Sequence, residues 1–162
     1  MSHIAIRYHA DNAPGLAQLD EFYIDVARGL VAAGYEVRAF TNGSPEDQHY
    51  MAELRPRLEE LGTPQDIAFL TQRDPAGLCA HISAFDVLVA YRMHAVIAAY
   101  SYRVPVIALE WDRKLNSFMH SVSLADNLLN VARTSAGECV ERAVAAHKAG
   151  LPLDKHSAVL AS

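Results

Sequence analysis

Two basic side chains, Arg92 and His94, lie two residues apart at the point where a short apolar run ends. This run, residues 86–90, has the length and composition of a buried β-strand, and the alanine-rich segment that follows suits a buried helix. The turn between a parallel strand and its helix commonly binds ligands, because N–H groups at the helix N-terminus point into that crevice. An arginine fork matches a carboxylate or a phosphate and keeps its charge. Arg92 and His94 are therefore placed where they can bind an anion.

The elements that must position this turn alternate along the chain. Strands are predicted at residues 4–6, 35–41, 67–70, 86–90, 104–109 and 128–131, with helices between them. This alternation is typical of an α/β fold with a doubly wound parallel sheet. The usual strand order, 3-2-1-4-5-6, places the ligand crevice between the first and fourth strands.

Local signals predict where several of the helices begin. Ser44 followed by Pro45 indicates a cap and a first helical residue, with the acids Glu46 and Asp47 in the first turn. Asp74 with Pro75 opens the next helix, and Ser135 with Glu138 forms a capping-box pattern. In the first helix, Asp20 and Glu21 are interpreted as first-turn acids that favour the helix dipole.

The predicted topology brings two further basic residues to the same crevice. Arg7 ends the first strand, and Lys114 follows the fifth. Each of these residues can also have a role unrelated to ligand binding. An arginine at a strand end commonly forms a surface ion pair, and a lone histidine can bind a backbone carbonyl. A lysine at a helix start is commonly solvated. The convergence of Arg7, Arg92 and His94 on one crevice favours an anion site.

Composition limits the class of protein. The 162 residues are 51% hydrophobic and 20% charged, which suits one globular domain, predicted over residues 1–152 with a C-terminal tail at 153–162. A net charge of −5 argues against a broad nucleic-acid surface, and we expect neither a membrane span nor a signal peptide. The isolated Cys79 and Cys139 suggest a reducing, cytoplasmic compartment. No metal-ligand cluster, dinucleotide fingerprint or P-loop pattern is present in the sequence.

Three segments resemble the polysaccharide pyruvyl transferase family. They are AYRMHA at residues 90–95, VPVIA at 104–108 and WDRK at 111–114. The family has an Arg-x-His-Ala turn, a Val-Pro-Val-Ile strand and a following Asp-x-Lys in its C-terminal half. It also has an arginine that ends the first strand of its C-terminal domain, and Arg7 occupies the matching position here.

The resemblance implies a reaction and a role for each residue. The reaction is ketal pyruvyl transfer from phosphoenolpyruvate to a pair of hydroxyls on a polysaccharide sugar or its lipid-linked precursor. Arg7, Arg92 and Lys114 would bind the donor, and His94 would act as general acid towards its methylene carbon. Neither a metal nor an organic cofactor is expected.

The resemblance also implies a Rossmann-like domain like the C-terminal domain of a GT-B type transferase. Family members have two such domains facing a cleft, whereas this chain has room for one. We therefore expect a donor-binding half that works with an N-terminal domain or a partner chain, and its activity alone stays open. One alternative is the donor domain of a nucleotide-sugar glycosyltransferase, with Glu110 or Asp112 contacting the ribose. Another is a non-catalytic domain of the same fold that binds a partner.

Overall fold

The computed structural model describes residues 16–70 and 74–151, and these form alternating helices and short strands. In chain order they are α1 (Leu16–Ala32), β1 (Val37–Ala39), α2 (Pro45–Glu59), β2 (Ile67–Phe69), α3 (Pro75–Ser83), β3 (Leu88–Ala90), α4 (Met93–Ser101), β4 (Val106–Leu109), α5 (Arg113–Ser121), a 3₁₀ turn (Ala125–Asn127), β5 (Leu128–Leu129) and α6 (Ala136–Ala149). The predicted first strand and the predicted tail at 153–162 lie outside the described residues. The mixed α/β class predicted from the sequence is confirmed.

Every strand pair between these elements is parallel. β1 pairs with β2 in one sheet, and β3, β4 and β5 form a second sheet in that order. Because β1 to β5 correspond to predicted strands two to six, these are three of the five pairings that the order 3-2-1-4-5-6 requires. Within the described ranges the strands form two small sheets rather than one continuous sheet.

The three-stranded sheet is buried on both of its faces. All four residues of β4 are inaccessible to solvent, as expected for a parallel strand covered by helices on two sides. Side chains of the odd-numbered strand residues lie in one buried cluster with residues of α1, α2 and α6. Side chains of the even-numbered strand residues lie in a second buried cluster with residues of α3, α4 and α5. The first set comprises Val89, Ile107, Leu109 and Leu129; the second comprises Leu88, Ala90, Val106 and Ala108.

The predicted helix starts agree with the structure at α2, α3 and α6. The side chains of Ser44, Asp74 and Ser135 each accept a hydrogen bond from the backbone N–H three residues further on. These bonds satisfy N–H groups that have no partner inside the helix. They also fix the N-terminus of α2 at the carboxyl end of β1.

The interpretation of Asp20 and Glu21 as first-turn acids is wrong. Because α1 runs from Leu16, both residues lie beyond its first turn. Asp20 instead accepts a hydrogen bond from the Tyr50 hydroxyl, and Glu21 forms an ion pair with Arg57. These carboxylates therefore bind α1 to α2.

Within the ranges 16–70 and 74–151, no helix combines the length and the apolar character needed to cross a bilayer.

Candidate active site at the carboxyl ends of the strands

The turn after β3 has the predicted strand-to-helix geometry. Arg92 is the N-cap residue of α4 and has extended backbone angles, φ −78° and ψ 124°. Its carbonyl oxygen accepts a hydrogen bond from the N–H of Val96 at 3.1 Å. Arg92 makes no side-chain cap, so its guanidinium extends away from its own helix. The sequence placed this turn correctly because the apolar strand ends and the helix begins there.

The Arg92 guanidinium is held by a buried carboxylate. Its Nη2 donates to Oδ1 of Asp47 at 2.7 Å, and its Nε donates to Oδ2 at 3.2 Å. The Asp47 side chain is fully buried, whereas that of Arg92 is 27% exposed. Since Asp47 lies in the first turn of α2 and Arg92 caps α4, this bidentate pair connects the carboxyl end of β1 to that of β3.

The pair leaves part of the arginine available to a ligand. Asp47 occupies the edge formed by Nε and Nη2, and Nη1 has no hydrogen-bond partner among the described residues. Since the side chain is partly exposed and Nη1 is not used by Asp47, an anion can bind at Nη1 while the opposite edge stays bound. Because Asp47 neutralises the arginine, additional attraction for an anion must come from other basic groups and from helix N-termini.

His94 and Lys114 occupy equivalent positions on neighbouring helices. Each is the second helical residue, His94 in α4 after β3 and Lys114 in α5 after β4. Both side chains are exposed. The carboxyl ends of paired parallel strands lie at one edge of a sheet, so both residues lie at the edge where Arg92 lies. This arrangement agrees with the placement predicted from the sequence, and their roles stay predictions.

The aromatic rings of Tyr91 and Trp111 pack against each other beside this edge of the sheet. Their rings stack with centroids 5.9 Å apart and an interplanar angle of 14°. Burial, with a contribution from nearby Asp112, raises the pKa of Tyr91 to about 12, so the phenol is neutral at physiological pH.

Among the described residues, the buried Trp111 Nε1 and Asn42 Oδ1 have no hydrogen-bond partner. Both residues follow strands at the carboxyl side, where such atoms offer a donor and an acceptor.

The carboxylates considered for a ribose have partners within the protein. Oδ1 of Asp112 accepts the N–H of Leu115 at 2.8 Å and so caps α5. Oε1 of Glu110 accepts a hydrogen bond from the Asn116 side chain at 2.7 Å. These structural roles weaken the nucleotide-sugar alternative, which needs a carboxylate available to the ligand.

The contact of Asp47 with Arg92 was not predicted from the sequence. The pattern at Asp47, an acid three residues after a capping serine, indicated only a favourable helix start. The ion pair joins residues 45 positions apart, and no local pattern predicts such a contact. Arg7, also predicted for this site, lies outside the described residues and stays a prediction.

Outside this edge, the described residues form a cavity but no cluster of metal ligands. A cavity of about 700 Å³ lies at the amino ends of β1 and β3, lined by residues that include Tyr35 and Phe85. Ligands of parallel α/β sheets bind at the carboxyl ends, so this cavity is not assigned to the chemistry. Across residues 16–70 and 74–151, no group of three or more His, Cys, Asp or Glu side chains is arranged to hold a metal ion.

Parallel strands whose following helices begin with basic side chains are typical of an α/β domain that binds an anionic ligand. The family model for polysaccharide pyruvyl transferase matches residues 2–113, which is more than half of the chain. The chain belongs to the polysaccharide pyruvyl transferase family. The matched range includes Arg7, Arg92 and His94, and ends one residue before Lys114. No curated protein and no solved structure matched the chain.

Proposed function

We propose that this chain binds phosphoenolpyruvate at the carboxyl ends of β3 and β4 and supports its pyruvyl transfer to a sugar. The observation that carries the proposal is the restrained, partly exposed guanidinium of Arg92 at the N-terminus of α4. It occupies the arginine position of the Arg-x-His-Ala turn in a chain of the pyruvyl transferase family. The geometry and the family thus support the same ligand site.

The donor carries two anionic groups, a carboxylate and a phosphate. Arg92 binds one of them through Nη1, which Asp47 does not use, and Arg7 and Lys114 supply charge for the other. The N–H groups at the start of α4 add a favourable field for an anion. These groups offset the charge that Asp47 neutralises, and they stabilise the phosphate as it leaves.

His94 delivers the proton in the proposed reaction. An imidazole ring can carry and donate a proton, and its exposed position at a helix start leaves the His94 ring accessible to the donor. Protonation of the methylene carbon makes C2 electrophilic, and the first sugar hydroxyl forms a bond to C2. The C2–oxygen bond to phosphate then breaks, and the second hydroxyl closes the ketal. The products are the pyruvylated sugar and inorganic phosphate, and both hydroxyl protons are released to the enzyme, phosphate or solvent.

The chain acts in this proposal as the donor-binding half of a GT-B type enzyme. The acceptor sugar is bound by an N-terminal domain or a partner chain, and turnover requires that half. The reaction needs no metal or organic cofactor. The two free cysteines of the described residues agree with a cytoplasmic location, where thiols stay reduced.

Donor preference is the experiment that tests the proposal. Phosphoenolpyruvate should raise the thermal unfolding temperature and give a saturable calorimetric isotherm, with and without a chelator, since both of its anionic groups are recognised. Uridine diphosphate glucose and inorganic phosphate at the same concentration should bind more weakly. Stabilisation by the nucleotide sugar but not by phosphoenolpyruvate would replace the proposal with the glycosyltransferase alternative. Binding of neither compound would favour a non-catalytic domain.

A further inference from the structure

We propose that Asp47 is a positioning residue for donor binding, which it serves by fixing the orientation of the Arg92 guanidinium. This inference rests on the proposed function, because it concerns the same donor site. The residue contributes through Arg92 and makes no contact with the donor. Neither the family match nor the local sequence pattern assigns it such a role.

The contact has the geometry needed to fix a guanidinium. Two parallel hydrogen bonds, 2.7 Å and 3.2 Å long, hold the Nη2 and Nε edge of Arg92, so rotation of the planar fork would break both. Long side chains such as arginine otherwise lose rotamer freedom when a ligand binds. An arginine side chain that is fixed before the ligand binds loses less rotamer freedom on binding. Its Nη1 group also keeps a single orientation.

Asp47 is itself rigidly placed. Its backbone N–H donates to the Oγ of Ser44 at 3.2 Å, in the first turn of a helix that begins with Pro45. Its side chain is fully buried. The Asp47 carboxylate therefore has a fixed position on α2. The position of this carboxylate relative to α4 then determines where the Arg92 guanidinium lies.

Burial also indicates that the donor does not displace Asp47. Displacement of Asp47 by the donor would break both hydrogen bonds between this fully buried carboxylate and Arg92, which costs free energy. The exposed part of Arg92 gives the donor another route to the same guanidinium. Asp47 should consequently assist the donor rather than compete with it.

The test compares Asp47→Asn with a matched control, Glu138→Gln. Glu138 has the same helix position in α6, three residues after a capping serine, and its ion pair with Arg142 is exposed. Both substitutions remove one negative charge. We expect Asp47→Asn to weaken phosphoenolpyruvate binding about tenfold or more by calorimetry, because the bidentate contact is lost. Glu138→Gln should leave the affinity within about twofold, as is usual for an exposed pair.

A double substitution separates positioning from a general loss of structure. In an Arg92→Lys background, Asp47→Asn should cause little further loss of affinity, since the group through which Asp47 acts is gone. Additive losses would overturn the inference. So would an unchanged affinity in Asp47→Asn, and tighter binding would show that Asp47 competes with the donor.

A measurement on the wild-type chain without donor keeps the inference testable if Asp47→Asn does not fold. In ¹⁵N NMR spectra, the arginine Nε–H signal that disappears in Arg92→Lys should show slow solvent exchange and restricted guanidinium rotation. Rapid exchange and free rotation would overturn the inference. A restrained Arg92 in a chain that does not bind phosphoenolpyruvate would refute the proposed function and leave the positioning of Arg92 by Asp47 intact.

Discussion

Arg92 and His94 differ in how the protein holds them, although they are only two residues apart. Arg92 is fixed by a buried carboxylate, whereas His94 is exposed, and among the described residues no hydrogen bond or ion pair fixes it. A restrained cation suits binding, because its geometry is set before the ligand arrives. An exposed imidazole suits proton transfer, since it is accessible to the reacting carbon of a bound donor. The two side chains should therefore contribute to different steps.

Replacement of His94 by glutamine should separate those steps. We expect phosphoenolpyruvate affinity in His94→Gln to stay within about threefold, because the anion contacts are made by other residues. Pyruvyl transfer, assayed with the acceptor-binding half present, should fall by about 10²–10⁴-fold, the usual contribution of a general acid. His120→Gln, on the exposed surface of α5, is the control and should retain both properties. Unaltered transfer in His94→Gln would remove this residue from the chemistry.

The helix starts are the elements that local sequence chemistry predicted best. A serine or aspartate cap and a proline at the first position act within one turn, so the capping bonds at Ser44, Asp74 and Ser135 follow from neighbouring residues. Asp112 caps α5 in the same way, although the sequence interpretation considered it for a ligand. An aspartate just before a helix serves either purpose, and only the three-dimensional contact distinguishes them.

Contacts between elements were not predictable in the same way. The sequence pattern assigns Asp20 and Glu21 to the first turn of their own helix, yet their partners lie on α2. Asp47 likewise acts on a residue of α4. The sequence therefore predicted the turn that carries Arg92 and His94, but not the carboxylate that fixes one of them. Each missed contact depends on how helices pack, which periodicity along one helix does not encode.

At the scale of the molecule, the parallel pairings within the described ranges agree with the predicted strand order. Burial of every residue along β3 and β4 explains why the α/β class was predictable, since fully apolar strands between helices need cover on both faces. The pairings predicted for residues 4–6 remain a prediction. They would place Arg7 between the carboxyl ends of β1 and β3, near the Arg92–Asp47 pair.

The buried thiol of Cys139 gives the whole molecule a specific response to alkaline pH. Burial is the main factor that raises its pKa from 9.0 to about 12, with a contribution from Glu138. Above pH 9 the unfolded thiol loses its proton while the folded thiol keeps it, so the unfolded state binds fewer protons. The stability contributed by this group is therefore complete below pH 9 and is lost progressively as pH rises towards 12.

Replacement of Cys139 by alanine should make the free energy of unfolding less dependent on pH in the alkaline range. Between pH 9.5 and about 11, the free energy of unfolding of Cys139→Ala should fall less steeply than that of the wild type, by about 1.4 kcal/mol per pH unit. Urea unfolding at several pH values measures the two slopes. A loss that is equal at all pH values would reflect only the cavity left by the smaller side chain. Parallel curves for the two proteins would contradict the assignment of this titration to Cys139.

Calorimetric titration of phosphoenolpyruvate into wild type and Arg92→Lys measures whether Arg92 binds the donor through its guanidinium fork. Lysine keeps the charge but cannot contact Asp47 and an anion in the same planar geometry. We expect a loss of roughly 1–3 kcal/mol in binding free energy, which is about 5- to 150-fold in affinity. The control Arg142→Lys, made on an exposed ion pair of α6, should bind phosphoenolpyruvate as the wild type does. Equal affinity in wild type and Arg92→Lys would contradict the donor site described for this chain.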